Sequence, residues 1–150
     1  MKETTSLVFT GDIGFDRSLI GAYGQDDRVC AYAELAALFD VGTPKKTAMC
    51  IFADKEEIGS EGVSGMKSEA FEKFVADLCQ TQGVSIYDCF AKSFCLSADV
   101  STAFDPNYAD VSDKRNTSYV NHGMSVVKYT GSGGKSGASD ASAEIIGKLR

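Results

Sequence analysis

A chain of 150 residues with 43% hydrophobic residues holds enough apolar material for one domain with a core, and falls outside the disordered range. Its formal charge of −6, with acids spread along the chain, argues against the clustered basic surface of a nucleic-acid binder. No apolar run reaches the length of a membrane span, and Met1-Lys2-Glu3-Thr4-Thr5 leads into no signal-peptide core, so the expected compartment is the cytoplasm, with no membrane partner. A short apolar run, Ser6–Thr10, predicts a strand and is followed by a Gly-rich stretch from Gly11 to Gly24. A helix is expected over Asp27–Asp40, where Val29, Tyr32, Ala36 and Phe39 recur at three- and four-residue steps, and Gly42 and Pro44 stop it. Thr47–Ala53 is a continuous apolar run, as in a strand buried on both faces. The clearest helix covers Met66–Gln80, with Phe71, Phe74, Val75, Leu78 and Cys79 on one stripe. A short helix over Ile86–Ser93 leads into an expected strand, Phe94–Ala98. Ser125–Thr130 predicts another strand, and Ala141–Leu149 a closing helix. Strands alternating with helices predict an α/β fold, with a mostly parallel sheet flanked by helices.

The cysteines, Cys30, Cys50, Cys79, Cys89 and Cys95, are odd in number and form no CxxC pair. That spacing argues against a zinc–thiolate site and for reduced thiols, with Cys30, Cys50 and Cys79 among apolar neighbours. The Gly131–Gly137 loop lies between a predicted strand and a predicted helix, as a phosphate-binding loop does. A Walker loop ending at Gly134-Lys135-Ser136 requires Gly where this chain has Tyr129, and the nucleotide-binding reading fails there.

The acids carry more information. Asp26 and Asp27 stand where a loop enters a helix, Asp54, Glu56 and Glu57 follow the run ending at Ala53, and Asp99 follows the run ending at Ala98. In a parallel sheet, strand C-termini line one crevice, where ligands bind. Taken singly, each acid reads as an N-cap or a solvated loop residue. Glu56-Glu57 is harder to read that way, because neighbours on an extended strand face opposite sides and address one site only at a turn, which Ile58-Gly59-Ser60 supplies. Carboxylates gathered together raise one another's pKa unless a cation neutralises them, which points to a divalent metal.

Tyr23-Gly-Gln-Asp-Asp-Arg-Val-Cys-Ala-Tyr32, Asp54-Lys-Glu-Glu-Ile-Gly-Ser60 and Ser97-Ala-Asp-Val100 resemble the core of the M18 metalloaminopeptidases, the aspartyl-aminopeptidase family of dinuclear zinc exopeptidases. Ala103–Tyr108, Lys114-Arg-Asn116 and Lys128–Ser132 extend the resemblance in the same order, over roughly residues 12 to 150. It implies that Asp26 bridges two zinc ions, that Glu57 binds one and Asp99 the other, and that Glu56 is the general base. Cobalt or manganese could replace zinc. It also implies a cis peptide between Asp26 and Asp27, a peptide substrate, and assembly of the full-length protein into a homo-oligomer. Residues 1–22 would be the tail of an inserted second domain and 23–150 part of the catalytic domain, with a zinc-peptidase-like fold.

The departures are equally specific. The family pattern has a metal-binding His upstream of the inserted domain and another near the C-terminus, and this chain is expected to contain neither. Its one histidine, His122, matches neither position and reads as a loop residue. Thr102 and Asp105 stand where aspartyl-specific relatives carry histidines, so a preference for acidic N-terminal residues does not carry over. The catalytic domain is therefore expected to be incomplete and the isolated chain inactive. The alternative is a catalytically silent segment acting only as a structural or self-association module.

Overall fold

A β-hairpin stands where the sequence predicts only a Gly-rich connector. The computed structural model describes residues 10–128 and 140–149. In it Thr10–Ile13 (β1) pairs antiparallel with Leu19–Ala22 (β2), Thr10 opposite Ala22. Gly14, at φ 92, turns the chain, and the Arg17 N–H donates to the Gly14 carbonyl at 3.1 Å. An exposed Arg17–Asp12 ion pair spans the turn, with Nε 2.6 Å from Oδ2. Pairs of this kind contribute about 0–1 kcal/mol. Of the predicted first strand only Thr10 lies within the described residues, and the Gly131–Gly137 loop lies outside them.

The chain divides between Val100 and Ser101 into two units. In the first, Gln25–Asp40 (α1) follows Gly24, which takes the left-handed conformation at φ 70. Asp26 and Asp27 have non-helical dihedrals, so the regular helix starts beyond them, near its predicted boundary. The Val41 N–H closes the helix on the Ala37 carbonyl at 3.1 Å. The apolar residues expected to face a core are not covered: Val29, Tyr32 and Phe39 are all exposed, Phe39 at 77%.

The mostly parallel sheet is not found among the described residues. Thr47–Ala53 and Phe94–Ala98 are irregular, as is Ser125–Lys128, and the remainder of the predicted Ser125–Thr130 strand lies outside the described residues. Among the described residues, parallel pairing is limited to isolated bridges, Asp54 with Gly65 and Ala103 with Ser118. The physical reason is that a strand exists through its neighbour's hydrogen bonds. Apolar composition marks a segment that could be buried in a sheet but supplies no partner. Phe52, expected inside, is exposed, as is Leu96.

Glu69–Thr81 (α2) and Ile86–Ala91 (α3) form the helical hairpin that holds the core. Val75 and Cys79 are buried, each 6% exposed, and the Phe71 ring stacks on Phe90 at 6.3 Å between centroids. The predicted stripe therefore does bury, though only in part, since Phe74 stays exposed. Gly83, at φ 66, ends α2 in a Schellman arrangement. Its N–H donates to the Gln80 carbonyl at 3.1 Å, and the Val84 N–H to the Cys79 carbonyl at 3.0 Å. All five cysteines are free; Cys79 is buried, while Cys30 and Cys50 are only half-buried.

In the second unit the Asp105 carboxylate accepts from the Asn107 N–H at 2.8 Å and starts a 3-10 helix over Pro106–Val111. Phe104 packs against Tyr119 at 5.3 Å, and Lys114 lies over the Phe104 ring. His122 sits in an exposed turn with Nδ1 2.9 Å from the Val120 carbonyl. Lys128 pairs with Asp140 at 2.8 Å, shortly before Ala143–Leu149 (α4). Among the described residues no helix is long and apolar enough to cross a membrane.

Candidate metal centre

Three backbone segments of the first unit bring carboxylates together. The first is the entry to α1. Asp26 (φ −87, ψ 104) and Asp27 (φ −123, ψ 40) are not wound into the helix, and the peptide bond between them is cis. The second is the end of the 94–98 run, where Asp99 Oδ1 accepts from the Val100 N–H at 2.7 Å. Asp26, Asp27 and Asp99 each offer a carboxylate oxygen, and these oxygens all lie within 4.8 Å of one another.

The third segment is the turn carrying Glu56 and Glu57. Lys55 and Ser60 take positive φ, Glu56–Ile58 forms one turn of 3-10 helix, and Gly59 leaves it at φ 89. The Gly59 and Ser60 N–H groups donate to the Glu56 and Lys55 carbonyls, both at 2.8 Å. Gly65 packs so close to this turn that a Cβ there would overlap the Ser60 carbonyl. Glu57 lies beside Asp26, whose charge and hydrogen bonding push its carboxyl above the ordinary value of 4.5, with Glu56 and Asp99 adding to the shift.

Asp54, grouped with these acids by sequence, belongs instead to the scaffold. Its Oδ2 accepts from Ser64 Oγ at 2.8 Å and lies 3.2 Å from Lys55 Nζ, and the Ser64 hydrogen bond holds its pKa down. Asp27 is the residue that sequence reasoning left without a role. It is half-buried, and its Oδ1 is buried with no hydrogen-bond partner. One turn further along α1, hydrogen bonding to Asp27, aided by burial, pushes the Cys30 thiol up to about 11.

This donor set suits a divalent cation. Carboxylates that repel one another, as the raised Glu57 pKa records, are relieved by positive charge, and a buried carboxylate oxygen without a donor is relieved in the same way. The pH dependence follows in sign. Glu57 holds its proton more tightly folded than unfolded, so the stability of the metal-free chain declines as pH rises from about 4.5 through the raised value, then levels off. Glu57→Gln removes this contribution. In EDTA, the melting temperature of Glu57→Gln minus that of the unsubstituted chain is expected to increase across that interval, and a flat difference would contradict the repulsion.

The comparisons with known proteins identify a family. The family model for the aminopeptidase I zinc metalloproteases (M18) matches residues 4–150. The chain belongs to the M18 family. It is 48% identical over 143 residues to a probable M18 family aminopeptidase 1 of Clostridium acetobutylicum, a match covering 93% of this chain and 31% of that protein. A probable M18 family aminopeptidase 1 of Thermotoga maritima is 42% identical over 144 residues. The crystal structure of an M18 aminopeptidase from Thermotoga maritima matches with a TM-score of 0.83 at 41% identity, over 93% of this chain and 32% of that one. The fold is thus that of an M18 aminopeptidase, and the chain spans about a third of the length of the M18 relatives it matches.

Proposed function

We propose that this M18 segment carries the central carboxylates of a metal-dependent aminopeptidase, which removes N-terminal residues from peptides at a dinuclear zinc site. The observation supporting this most directly is the approach of Asp26, Asp99 and Glu57 from three separate segments. Asp26 would help hold both metals, Glu57 one and Asp99 the other. Bound zinc supplies Lewis acidity toward the scissile carbonyl and the attacking water. Glu56 takes a proton from that water and returns it to the departing amine nitrogen. Residues 23–150 belong to the catalytic domain and residues 1–22 to the end of an inserted one, and the complete protein is a cytoplasmic homo-oligomer.

The test is release of N-terminal residues by a full-length M18 chain containing this segment. Dialysis against a chelator is expected to abolish release and added zinc, cobalt or manganese to restore it. Activity that survives complete metal removal would refute the reading. The isolated 150-residue chain is expected to release nothing, since a catalytic zinc normally has three protein ligands and this chain offers each metal Asp26 and one further assigned carboxylate. The exposed apolar residues of α1, Phe39 at 77% among them, favour the second reading for the isolated chain, a silent segment that self-associates.

A further inference from the structure

We propose that Cys79 and Cys89 form a reversible dithiol–disulfide site, oxidised by low-molecular-weight disulfides, that staples the α2–α3 hairpin. The placement follows from the two helices. Val75 and Cys79, one turn apart, are the buried residues of α2, and Ile86 and Cys89 are the half-buried positions of α3. The stack of Phe71 on Phe90 brings these faces together across the Gly83 turn, which the Val84 N–H closes on the Cys79 carbonyl at 3.0 Å. The two thiols meet in that contact, with Cys89 within hydrogen-bonding reach of Cys79. The other three cysteines face oxygen instead. Cys30 is hydrogen-bonded to Asp27, Cys50 Sγ lies 3.8 Å from a Glu34 carboxylate oxygen, and Cys95 Sγ lies 3.6 Å from the Leu96 carbonyl.

The surroundings divide the roles. Burial, with the neighbouring Cys89 thiol second, pushes the Cys79 thiol above its ordinary value of 9.0, while half-buried Cys89 is the one that solvent reaches. Cys89, as thiolate, attacks one sulfur of the small disulfide, and the other sulfur departs as a thiolate. Cys79 then gives its proton to water and attacks Cys89 Sγ, which expels the second small thiolate. The protein loses two electrons and two protons, and the small disulfide is reduced to two thiols. Excess thiol reverses the exchange, so a chain in a reducing compartment rests as the dithiol.

Treatment of the folded 150-residue chain with oxidised glutathione, then capture of the remaining thiols by N-ethylmaleimide and mass spectrometry, tests this. Two of the five thiols are expected to be lost. Trypsin cuts after Lys73 and Lys92 and nowhere between them, so both cysteines stay in one peptide, Phe74–Lys92. That peptide should carry neither maleimide nor glutathione and be lighter by two hydrogens, and dithiothreitol should restore both thiols. In Cys79→Ala, with its helices checked by circular dichroism, glutathione should stay trapped on Cys89. In Cys89→Ser, Cys79 should keep its thiol. Three outcomes in the unsubstituted chain would overturn the proposal: maleimide on both cysteines of Phe74–Lys92, glutathione remaining on Cys89, or either cysteine linked to Cys30, Cys50 or Cys95. A free Cys89 thiol in folded Cys79→Ala would overturn it equally.

Discussion

Glu56→Gln in a full-length M18 chain carrying this segment is expected to lower turnover by about 10²–10⁴-fold, the usual contribution of a general base, while both zinc ions stay bound. The amide keeps the size and shape of the carboxylate, so the turn over Glu56–Ile58 and its hydrogen bonds are undisturbed. What disappears is basicity. Glu57→Gln, one residue on, should behave differently: it replaces a proposed ligand by a neutral amide, a poorer donor to a hard cation, and should remove one of two zinc equivalents. Metal analysis beside steady-state kinetics separates the two variants. Near-normal turnover in Glu56→Gln would strip that residue of its role, whatever Glu57→Gln did.

The second large effect is expected at Asp26. Its oxygen lies in the cluster with Asp99, and its charge is the foremost influence on Glu57. It is thus the shared neighbour of the residues proposed for the two separate metals. Asp26→Asn is expected to reduce zinc content from two equivalents to none, whereas Glu57→Gln and Asp99→Asn should each remove one. Turnover in Asp26→Asn should fall at least as far as in Glu56→Gln. Retention of a full zinc equivalent by Asp26→Asn, measured after dialysis at fixed free zinc, would show that the carboxylate does not bridge.

These expectations draw on different depths of sequence information. The helical stripe from Phe71 to Cys79 was legible because its periodicity is local, and it emerges as α2 with Val75 and Cys79 buried. Thr47–Ala53 and Phe94–Ala98 are equally apolar, yet a strand depends on a distant partner that composition does not specify, and both are irregular here. The hairpin at Thr10–Ala22 is not legible in the sequence because its turn glycine is submerged in a Gly-rich stretch. Its sequence signal was the Asp12–Arg17 pair, five residues apart with opposite charges. In the candidate site, Asp26 stands out in the sequence by its place at a helix entry, Glu57 and Asp99 by their positions after apolar runs, and all three by their place in the M18-like motifs. Asp27 does not, because in regular backbone consecutive residues point apart, and only the non-helical dihedrals at Asp26 and Asp27 bring both carboxylates to one place.

Asp54 and Ser64 bear on when order is acquired. Their 2.8 Å hydrogen bond, the bridge between Asp54 and Gly65, and the Lys67 N–H to the Ser60 carbonyl at 3.2 Å tie the Glu56–Glu57 turn to the chain that follows it. None of these links involves a proposed ligand. The conformational entropy of this turn, about 1–2 kcal/mol per backbone residue, is therefore lost when the chain folds rather than when an ion arrives. An ion at Glu57, on the function proposed above, would therefore settle one side chain on an already ordered backbone instead of closing a loop.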